Sequence, residues 1–314
     1  MGVYDSDGTA INTVYDKSGI SYSRCYTADG TPIPLSGGHA VSGNFTRTLM
    51  LSSDVPDGTQ GIACDSVTQT IAQLYTGSIY LIDVADGAYT QIARSFNLGH
   101  GNTGQFAPTK TSDQEYPLLY VSGAGKTIND ALYTCLLEIE CTSNSATMNK
   151  VYMVPSTSGL TGTMIVCVDF DNNIVYDMSA STYYGSADTM YVAVWDLATA
   201  EPFADGSYSP TPRNGVYILT DRLAQFEIPF IPEMQAATFF DGLLVSLSDT
   251  SSNKHIYFTD VDTHDTYLTI ANSVPSGELE GIGFLFNAIT EQYDMIVSTR
   301  ANGAKEYYRY VFIQ

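Results

Sequence analysis

The sequence predicts an all-β protein: a β-propeller of about five four-stranded blades behind a short, β-rich N-terminal arm. Three observations support this prediction. Tyr (23 residues) far exceeds Trp (1), and only 15% of the residues are charged, a composition that favours strands over long amphipathic helices. A short repeat fills residues 4–33, and a longer, degenerate repeat of strands follows it. Repeats of these two lengths indicate stacked units rather than one irregular domain.

The charge is strongly one-sided, with 34 acidic residues against 13 basic ones and a formal net charge of −21. Nucleic acids and anionic membranes are bound through clustered Lys and Arg. The sequence therefore excludes nucleic acid as an expected partner. No apolar run approaches the length of a membrane span, so we expect no membrane insertion.

The cysteine pattern indicates free thiols rather than a disulfide framework. The five cysteines are odd in number and include no C-x-x-C spacing, which also argues against a zinc site. The residues after Met1 form neither a basic nor an apolar leader segment. We therefore expect synthesis in a reducing cytoplasm without a signal peptide.

The first element, residues 1–41, is a repetitive arm. Residues 4–8, 15–19 and 26–30 begin 11 residues apart, each with an apolar residue before its Tyr and another seven residues after it. This pattern predicts a short strand, a tight turn and a second short strand. Such small units have to stack on a partner, so we interpret the arm as an attachment segment. Its marker residues are Tyr4, Asp5, Gly8, Tyr15, Asp16, Gly19, Tyr26 and Gly30.

The second element, residues 42–314, is the predicted propeller. Each unit carries a strand that opens with an apolar residue and Tyr, and the Tyr positions are 53, 58, 66 and 51 residues apart. A spacing of this size matches the length of one four-stranded propeller blade. The Tyr residues are Tyr80, Tyr133, Tyr191, Tyr257 and Tyr308. The apolar runs before them, which we predict as neighbouring strands, are residues 71–75, 118–121, 165–168, 243–245 and 295–297. Residues 217–221 mimic the motif but follow Tyr191 too closely to form a separate blade.

Two further features refine the propeller prediction. Small residues open an inner strand at residues 60–63, 235–237 and 280–282, as expected where blades crowd around a central channel. The last unit ends one strand short, and residues 44–52 are predicted to complete it. Pairing the two ends of the chain would leave no exposed sheet edge.

No catalytic motif is present, and the sequence offers only weak candidate binding residues, so we expect a protein that is not an enzyme. His100 and Asn102 lie in a Gly-rich loop between the first two units, where they either contact a ligand or satisfy turn backbone groups. Tyr183, Tyr184 and Tyr208 lie in long Tyr-, Ser- and Gly-rich stretches that suit recognition of a protein or sugar surface. Ordinary loops are the equal alternative.

Calcium is the one cofactor that the sequence suggests, and only weakly. The arm repeats begin like a calcium loop but have no ligand at the twelfth position. Residues 169–173 and 260–265 alternate acidic and polar residues at strand ends, which more often marks hairpin turns. We therefore expect no cofactor, and the metal sites stay unassigned.

The Tyr-Asp-x-Asp-Gly segment at residues 4–8 and its copies resemble the arms of phage virion proteins, such as tail-fibre-like and receptor-binding proteins. The propeller sequence, including residues 60–61 and 99–102, resembles a loose group of bacterial and phage propellers with no assigned reaction. The resemblance implies a virion structural component, a tail-fibre, baseplate or head-fibre adhesin. Its arm would bind other virion proteins, and its propeller would bind a host-surface glycan or protein.

Two alternatives stay open: a glycan-active hydrolase or lyase on a propeller scaffold, and a non-catalytic bacterial propeller binding module. Paired carboxylates are common in so acidic a chain, and none stands out as a catalytic pair. Formation of a homo-oligomer through the arm is a further open question.

Overall fold

The computed structural model describes most of the chain after residue 44 and four short pieces before it. The described residues are 14–15, 21–22, 25–26, 32–33, 45–56, 60–76, 78–92, 94, 96–98, 101–123, 125–156, 160, 163–183, 189–203, 208–250, 254–268, 277–301 and 304–312. The chain divides into two compact units, 1–43 and 44–314; the sequence placed the boundary between residues 41 and 42. Within the described residues the only helix is a 3-10 turn, Leu197–Thr199, and no helix has the length and apolar character needed to cross a membrane. The all-β prediction is confirmed.

The first unit contains two short antiparallel hairpins. Their strands are β1 (Val14–Tyr15), β2 (Ser21–Tyr22), β3 (Cys25–Tyr26) and β4 (Pro32–Ile33). Val14 pairs with Tyr22, and Cys25 pairs with Ile33. These pairs join the apolar residue before each Tyr to the one seven residues after it, as the repeat predicts. The first copy of the repeat, with Tyr4, Asp5 and Gly8, lies outside the described residues, as do Asp16, Gly19 and Gly30.

The second unit contains five successive sheets. The strands of the first sheet are β6 (Ile62–Asp65), β7 (Thr70–Tyr75), β8 (Ser78–Asp83) and β9 (Tyr89–Ile92). Those of the second are β10 (Gly104–Phe106), β11 (Leu119–Ser122), β12 (Lys126–Ile128), β13 (Ala131–Cys141), β14 (Ala146–Pro155), β18 (Glu201–Pro202) and β19 (Val216–Ile218). Those of the third are β15 (Thr163–Asp169), β16 (Ile174–Ala180), β17 (Thr189–Asp196) and β20 (Arg222–Pro229).

The last two sheets follow the same plan. The strands of the fourth sheet are β21 (Met234–Phe240), β22 (Leu243–Asp249), β23 (Lys254–Asp260) and β24 (Thr266–Leu268). Those of the fifth are β25 (Glu278–Asn287), β26 (Gln292–Ala301), β27 (Ala304–Phe312) and β5 (Phe45–Ser53). The predicted pairing of the chain ends is therefore observed, since β5 runs antiparallel to β27 with Thr48 opposite Arg309.

Hydrophobic side chains fill the space between each sheet and the next. Five clusters of buried residues join the sheets in the order first to second, second to third, third to fourth, fourth to fifth and fifth to first. One pair from each, in that order, is Leu74 and Leu137, Val154 and Val168, Met178 and Leu244, Phe258 and Val297, and Ile71 and Ile296. Strands such as β7 and β8 are buried on both faces, because their sheet packs against one neighbouring sheet on each side.

Small residues allow the first strands of neighbouring sheets to approach closely. A Cβ at Gly281 would lie 2.6 Å from the Ile62 backbone nitrogen, and one at Gly61 would overlap the backbone carbonyl of Asn102. Gly61 and Gly281, two of the small residues predicted to open inner strands, therefore lie where backbones approach closely. Glycine is required here by backbone contact rather than by turn geometry.

The strand assignments from the sequence are confirmed in four units and wrong in one. The predicted Tyr strands correspond to β8, β13, β17, β23 and β27, each the third strand in the order of its sheet. Residues 165–168, predicted as the strand next to the Tyr strand of the third unit, instead belong to β15, the first strand. β16 occupies the second place, because a turn after Asp169 reverses the chain. Residues 216–218 form β19, which pairs in parallel with β14 at the margin of the second sheet.

Candidate functional site

A cavity of about 450 Å³ lies at the carboxyl ends of the first strands, and all five sheets contribute to its walls. We call it the five-sheet cavity. Its volume falls within the range of small-molecule pockets, roughly 300–1,000 Å³. The lining residues are 64–67 of the first sheet, 104–108 of the second, 168–171 of the third, 238–241 of the fourth, and Gly283, Phe284 and Tyr293 of the fifth.

Two buried aspartates at this cavity are held by their own turns. The Asp65 Oδ1 atom accepts a 2.8 Å hydrogen bond from the Val67 N–H, and Asp169 Oδ1 accepts from the N–H groups of Asp171 (3.1 Å) and Asn172 (3.2 Å). Side-chain oxygens that accept from backbone two or three residues ahead stabilise a reversal of the chain. The hairpin-turn interpretation of residues 169–173 is therefore confirmed.

The second calcium candidate is built in the same way. Asp260 Oδ1 accepts from the N–H groups of Asp262 (2.8 Å) and Thr263 (3.0 Å), so residues 260–265 also form a turn between strands. Among the described side chains, no group of three or more His, Cys, Asp or Glu is arranged to hold a metal ion.

Aromatic rings form one wall of the five-sheet cavity. The Phe240 ring stacks on Phe284, with centroids 4.0 Å apart, and Tyr293 tilts against Phe240 at 5.0 Å. Tyr293 is 46% exposed, whereas Phe240 and Phe284 are half-buried. Phe170 and Phe239 are half-buried on the third and fourth sheets. Apolar rings beside polar groups are the usual walls of a binding pocket for sugars or organic cations.

A glutamine ties three sheets together at this cavity. The amide oxygen of Gln105 accepts a 2.7 Å hydrogen bond from the Val168 N–H. Its amide nitrogen donates to the carbonyls of Val168 (3.0 Å) and Phe239 (3.3 Å). The side chain of Gln105 therefore crosses from the second sheet to the first strands of the third and fourth sheets.

Nearby, Thr103 makes a parallel connection between the second and fourth sheets. Its hydroxyl oxygen accepts a 3.0 Å hydrogen bond from the Ala237 N–H. Gln105 and Thr103 together fix the spacing of the strands that carry the cavity walls.

The carboxyl groups best suited to acid catalysis lie away from this cavity. Burial raises the pKa of Asp177 and of Glu280 to about 7. A raised carboxyl pKa is typical of general acids, but neither residue belongs to the cavity lining. Asp177 receives a hydrogen bond from Thr134 between two sheets, and Glu280 pairs with buried Lys305. The two carboxyl groups with a raised pKa are therefore part of contacts within and between sheets.

A second cavity, of about 390 Å³, lies near the opposite, amino ends of the first strands. It is polar and is lined by Tyr183, Glu233, Gln235, Asp249, Thr250, Lys254 and Glu278. Lys254 is paired with Asp249 at 2.8 Å. Tyr183, a residue predicted from the sequence to bind a ligand, thus reaches a cavity, although not the one with aromatic walls.

The other predicted binding residues do not line either cavity within the described part of the chain. Asn102 is half-buried beside Gly61, and its side-chain oxygen has no hydrogen-bond partner among the described residues. Tyr208 packs on the second sheet, with the Lys126 ammonium 4.4 Å from its ring centroid, and burial raises its pKa. His100 and Tyr184 lie outside the described residues.

Most of the five-sheet cavity lies outside the site residues predicted from the sequence. Residues 169–171 were predicted only as a turn or a calcium site, and residues 239–241 were given no role. A signal was present, since both segments place Phe and Asp side by side where a first strand ends. Recognising it required knowing that 165–168 belong to a first strand.

No family model and no curated protein matches this chain. Solved structures give matches of low similarity. The PQQ-bound aldose sugar dehydrogenase from Streptomyces coelicolor has a TM-score of 0.45 at 9% identity, over 86% of this chain and 99% of that chain. The allergen Mala s 1 from Malassezia sympodialis has a TM-score of 0.43 at 11% identity, over 82% and 94%. A TolB from Agrobacterium tumefaciens has a TM-score of 0.38 at 10% identity, over 81% and 90%. At these values the matches carry no argument about function.

Proposed function

We propose that this chain is a non-catalytic adhesin of a phage virion, whose five-sheet cavity binds a host-surface glycan and whose arm attaches it to the particle. The observation that carries the binding part is the cavity itself, which is lined by all five sheets and combines half-exposed aromatic rings with carboxylates from three of them. Sugars stack their apolar ring faces on aromatic side chains and donate hydroxyl hydrogens to carboxylates.

In this proposal the five sheets are the blades of a β-propeller. Two observations support this reading. The first strand of each sheet contacts that of the next, and β25 of the fifth sheet contacts β6 of the first. The β5 strand, from the start of the second unit, also completes the fifth sheet. A closed ring protects sheet edges and presents one cavity where the inner strands end.

The alternative of a hydrolase or lyase is less well supported by the same residues. At the cavity, Asp65 and Asp169 already accept hydrogen bonds from their own turns. The two carboxyl groups whose pKa values rise to about 7 lie outside the lining. We therefore expect binding of a glycan without turnover.

A glycan array followed by calorimetry tests the binding role. Tyr293→Ala removes an exposed aromatic ring from the cavity, and we expect it to raise the Kd of the best array ligand about tenfold, as loss of one ring contact implies. Tyr75→Ala is the matched control, because Tyr75 is 38% exposed and lies outside both cavities. Equal Kd values for the two variants would contradict a site at this cavity, and product formation would favour the enzyme.

The virion role needs a separate test, because it depends on the arm and its resemblance to phage proteins. Cryo-electron microscopy of purified particles should show disc-shaped density at the tail or on head fibres. Particles made with a chain lacking residues 1–35 should lose that density. If particles made with the full-length chain lack this density, the virion role is wrong. The glycan-binding role is then tested by the glycan array alone.

A further inference from the structure

The five-sheet cavity has walls of a single charge sign. Four of its lining residues are aspartates, namely Asp65, Asp169, Asp171 and Asp241. Among the described residues that line it, none is Lys, Arg or His. A cavity with low-dielectric walls of one sign concentrates ions of the opposite sign. The described lining residues therefore favour a positively charged ligand.

The positions of these aspartates divide them into two pairs. Asp65 and Asp169 are buried, 1% and 3% exposed, and are held by turn N–H groups, so they contribute negative potential from fixed positions. Asp171 and Asp241 are exposed at the rim. Because they are exposed, the carboxylates of this second pair can contact a ligand directly.

Each exposed aspartate stands next to an aromatic ring in the sequence. Asp171 follows Phe170, and Asp241 follows Phe240, which stacks on Phe284. A carboxylate beside an aromatic ring recognises an organic cation, since the ring attracts the cation through its quadrupole and the carboxylate attracts it through its charge. The same pair recognises a neutral sugar less well and repels an anionic one.

Five ion pairs among the described residues involve acids outside the cavity lining. The basic side chains of these pairs are Lys150, Arg213, Lys254, Lys305 and Arg309. These five positive charges therefore interact with carboxylates outside the five-sheet cavity.

We infer that the five-sheet cavity selects a glycan that carries a free amine and rejects glycans rich in uronate, sialate or phosphate groups. This inference rests on the proposed glycan-binding function and specifies its ligand class. Aspartates at the rim bind the ammonium group, and the aromatic wall packs against the sugar ring.

Calorimetry with two oligosaccharides of equal length tests the charge selectivity on the full-length protein. The probes are a glucosamine hexamer, which carries free amines, and an N-acetylglucosamine hexamer, in which every amine is acetylated. At about pH 6, where a sugar amine is protonated, we expect the glucosamine hexamer to bind about tenfold more tightly. We also expect this preference to shrink as salt is added.

Three variants assign the preference to the rim. Asp171→Asn and Asp241→Asn should each reduce the ratio of the two affinities, because each removes a negative charge that favours the hexamer with free amines. Asn tolerates the positive φ of 45° at position 241, so the turn is retained. Asp262→Asn is the matched control, an exposed aspartate in a turn outside the lining, and should keep the wild-type ratio.

Equal affinity for the two hexamers would overturn the inference and leave the proposed glycan-binding function intact. Tighter binding of a uronate oligomer than of the glucosamine hexamer would overturn it as well. If neither hexamer binds, the inference is wrong, and the glycan array decides separately whether the protein binds glycans of another class.

Discussion

The hydroxyl of Tyr307 donates a 2.7 Å hydrogen bond to the side-chain oxygen of Gln73, and both residues are completely buried. Tyr307 belongs to β27 of the fifth sheet, and Gln73 belongs to β7 of the first. The Gln73 amide nitrogen in turn donates hydrogen bonds to the backbone carbonyls of Gln60 (2.8 Å) and Gly61 (3.0 Å). The contact between the last and first sheets is therefore specified by polar groups as well as by apolar packing.

We expect Tyr307→Phe to lower the free energy of unfolding by about 1–2 kcal/mol, because it leaves the buried Gln73 oxygen without this donor. Urea denaturation measures the change. Tyr310→Phe is a matched control three residues further along the same strand, since the buried Tyr310 hydroxyl has no hydrogen-bond partner among the described residues. That control should change stability by less than about 0.5 kcal/mol. Similar losses in both variants would show that the hydrogen bond contributes nothing specific.

Glu280 and Lys305 form an ion pair with almost no solvent contact. Their charged atoms are 3.4 Å apart, and the side chains are 2% and 1% exposed. Burial raises the pKa of Glu280 to about 7, against the opposing effect of Lys305, and burial lowers the pKa of Lys305. Removing water from the two charges thus outweighs their attraction.

We expect Lys305→Met to lower the free energy of unfolding by about 3–5 kcal/mol, because it leaves a buried carboxyl group without its partner. The double variant Glu280→Leu with Lys305→Met should recover most of that loss, since neither buried charge remains. Chemical denaturation of the single and double variants in a double-mutant cycle measures this coupling. Additive losses would contradict a paired role for the two side chains.

Much of the fold could be predicted because its signals are local. Apolar and Tyr-rich runs separated by turn residues predicted the third strand of every sheet, and Gly281 marked a close backbone approach. The pairing of residues 44–52 with the last unit followed from one missing strand. The arm hairpins followed from the 11-residue period. Each of these predictions needs only strand alternation, turn chemistry and the need to cover sheet edges.

The third unit and the cavity could not be predicted in the same way. β15 and β16 are both largely buried, so the apolar run at 165–168 carries no mark of its place within the sheet. The five-sheet cavity brings together residues from 64 to 293, and the hydrogen bonds of Gln105 join residues 63 and 134 positions apart. Such contacts depend on how the sheets are arranged around one another.

The bridge made by Gln105 leads to a further prediction. Gln105→Leu keeps a similar volume but removes the acceptor for the Val168 N–H and the donor to two carbonyls. We expect the free energy of unfolding to fall by about 1–3 kcal/mol, since backbone groups between the sheets lose their partners. Thermal and urea unfolding measure the loss. Gln292→Leu, at an exposed position of β26, is the control and should stay within about 0.5 kcal/mol of the wild type.

Asp177 leads to a prediction about pH. Its side chain is completely buried between the second and third sheets. Thr134 Oγ1 donates a 3.1 Å hydrogen bond to Asp177 Oδ1, and the other carboxyl oxygen has no partner among the described residues. Burial raises the pKa of Asp177 to about 7, and the hydrogen bond from Thr134 opposes this only in part.

The direction of the pH effect follows from proton linkage. An aspartate in the unfolded chain has a pKa of about 3.9, so between about pH 4 and pH 7 the folded state holds a proton that the unfolded state has lost. The free energy of unfolding therefore falls as pH rises through this window, and the loss is complete above about pH 7. The contribution of Asp177 is most favourable in acid.

Asp177→Asn cannot titrate and should escape this loss. We expect the stability of the variant relative to wild type to increase between about pH 4 and pH 8 by on the order of 4 kcal/mol, since three pKa units correspond to roughly that amount. Urea midpoints of both proteins across this range measure the difference and cancel the effects of the other carboxyl groups. Asp262→Asn, at an exposed turn position, should show a nearly constant difference from wild type. A constant difference for Asp177→Asn as well would mean that the buried carboxyl group is ionised throughout the range.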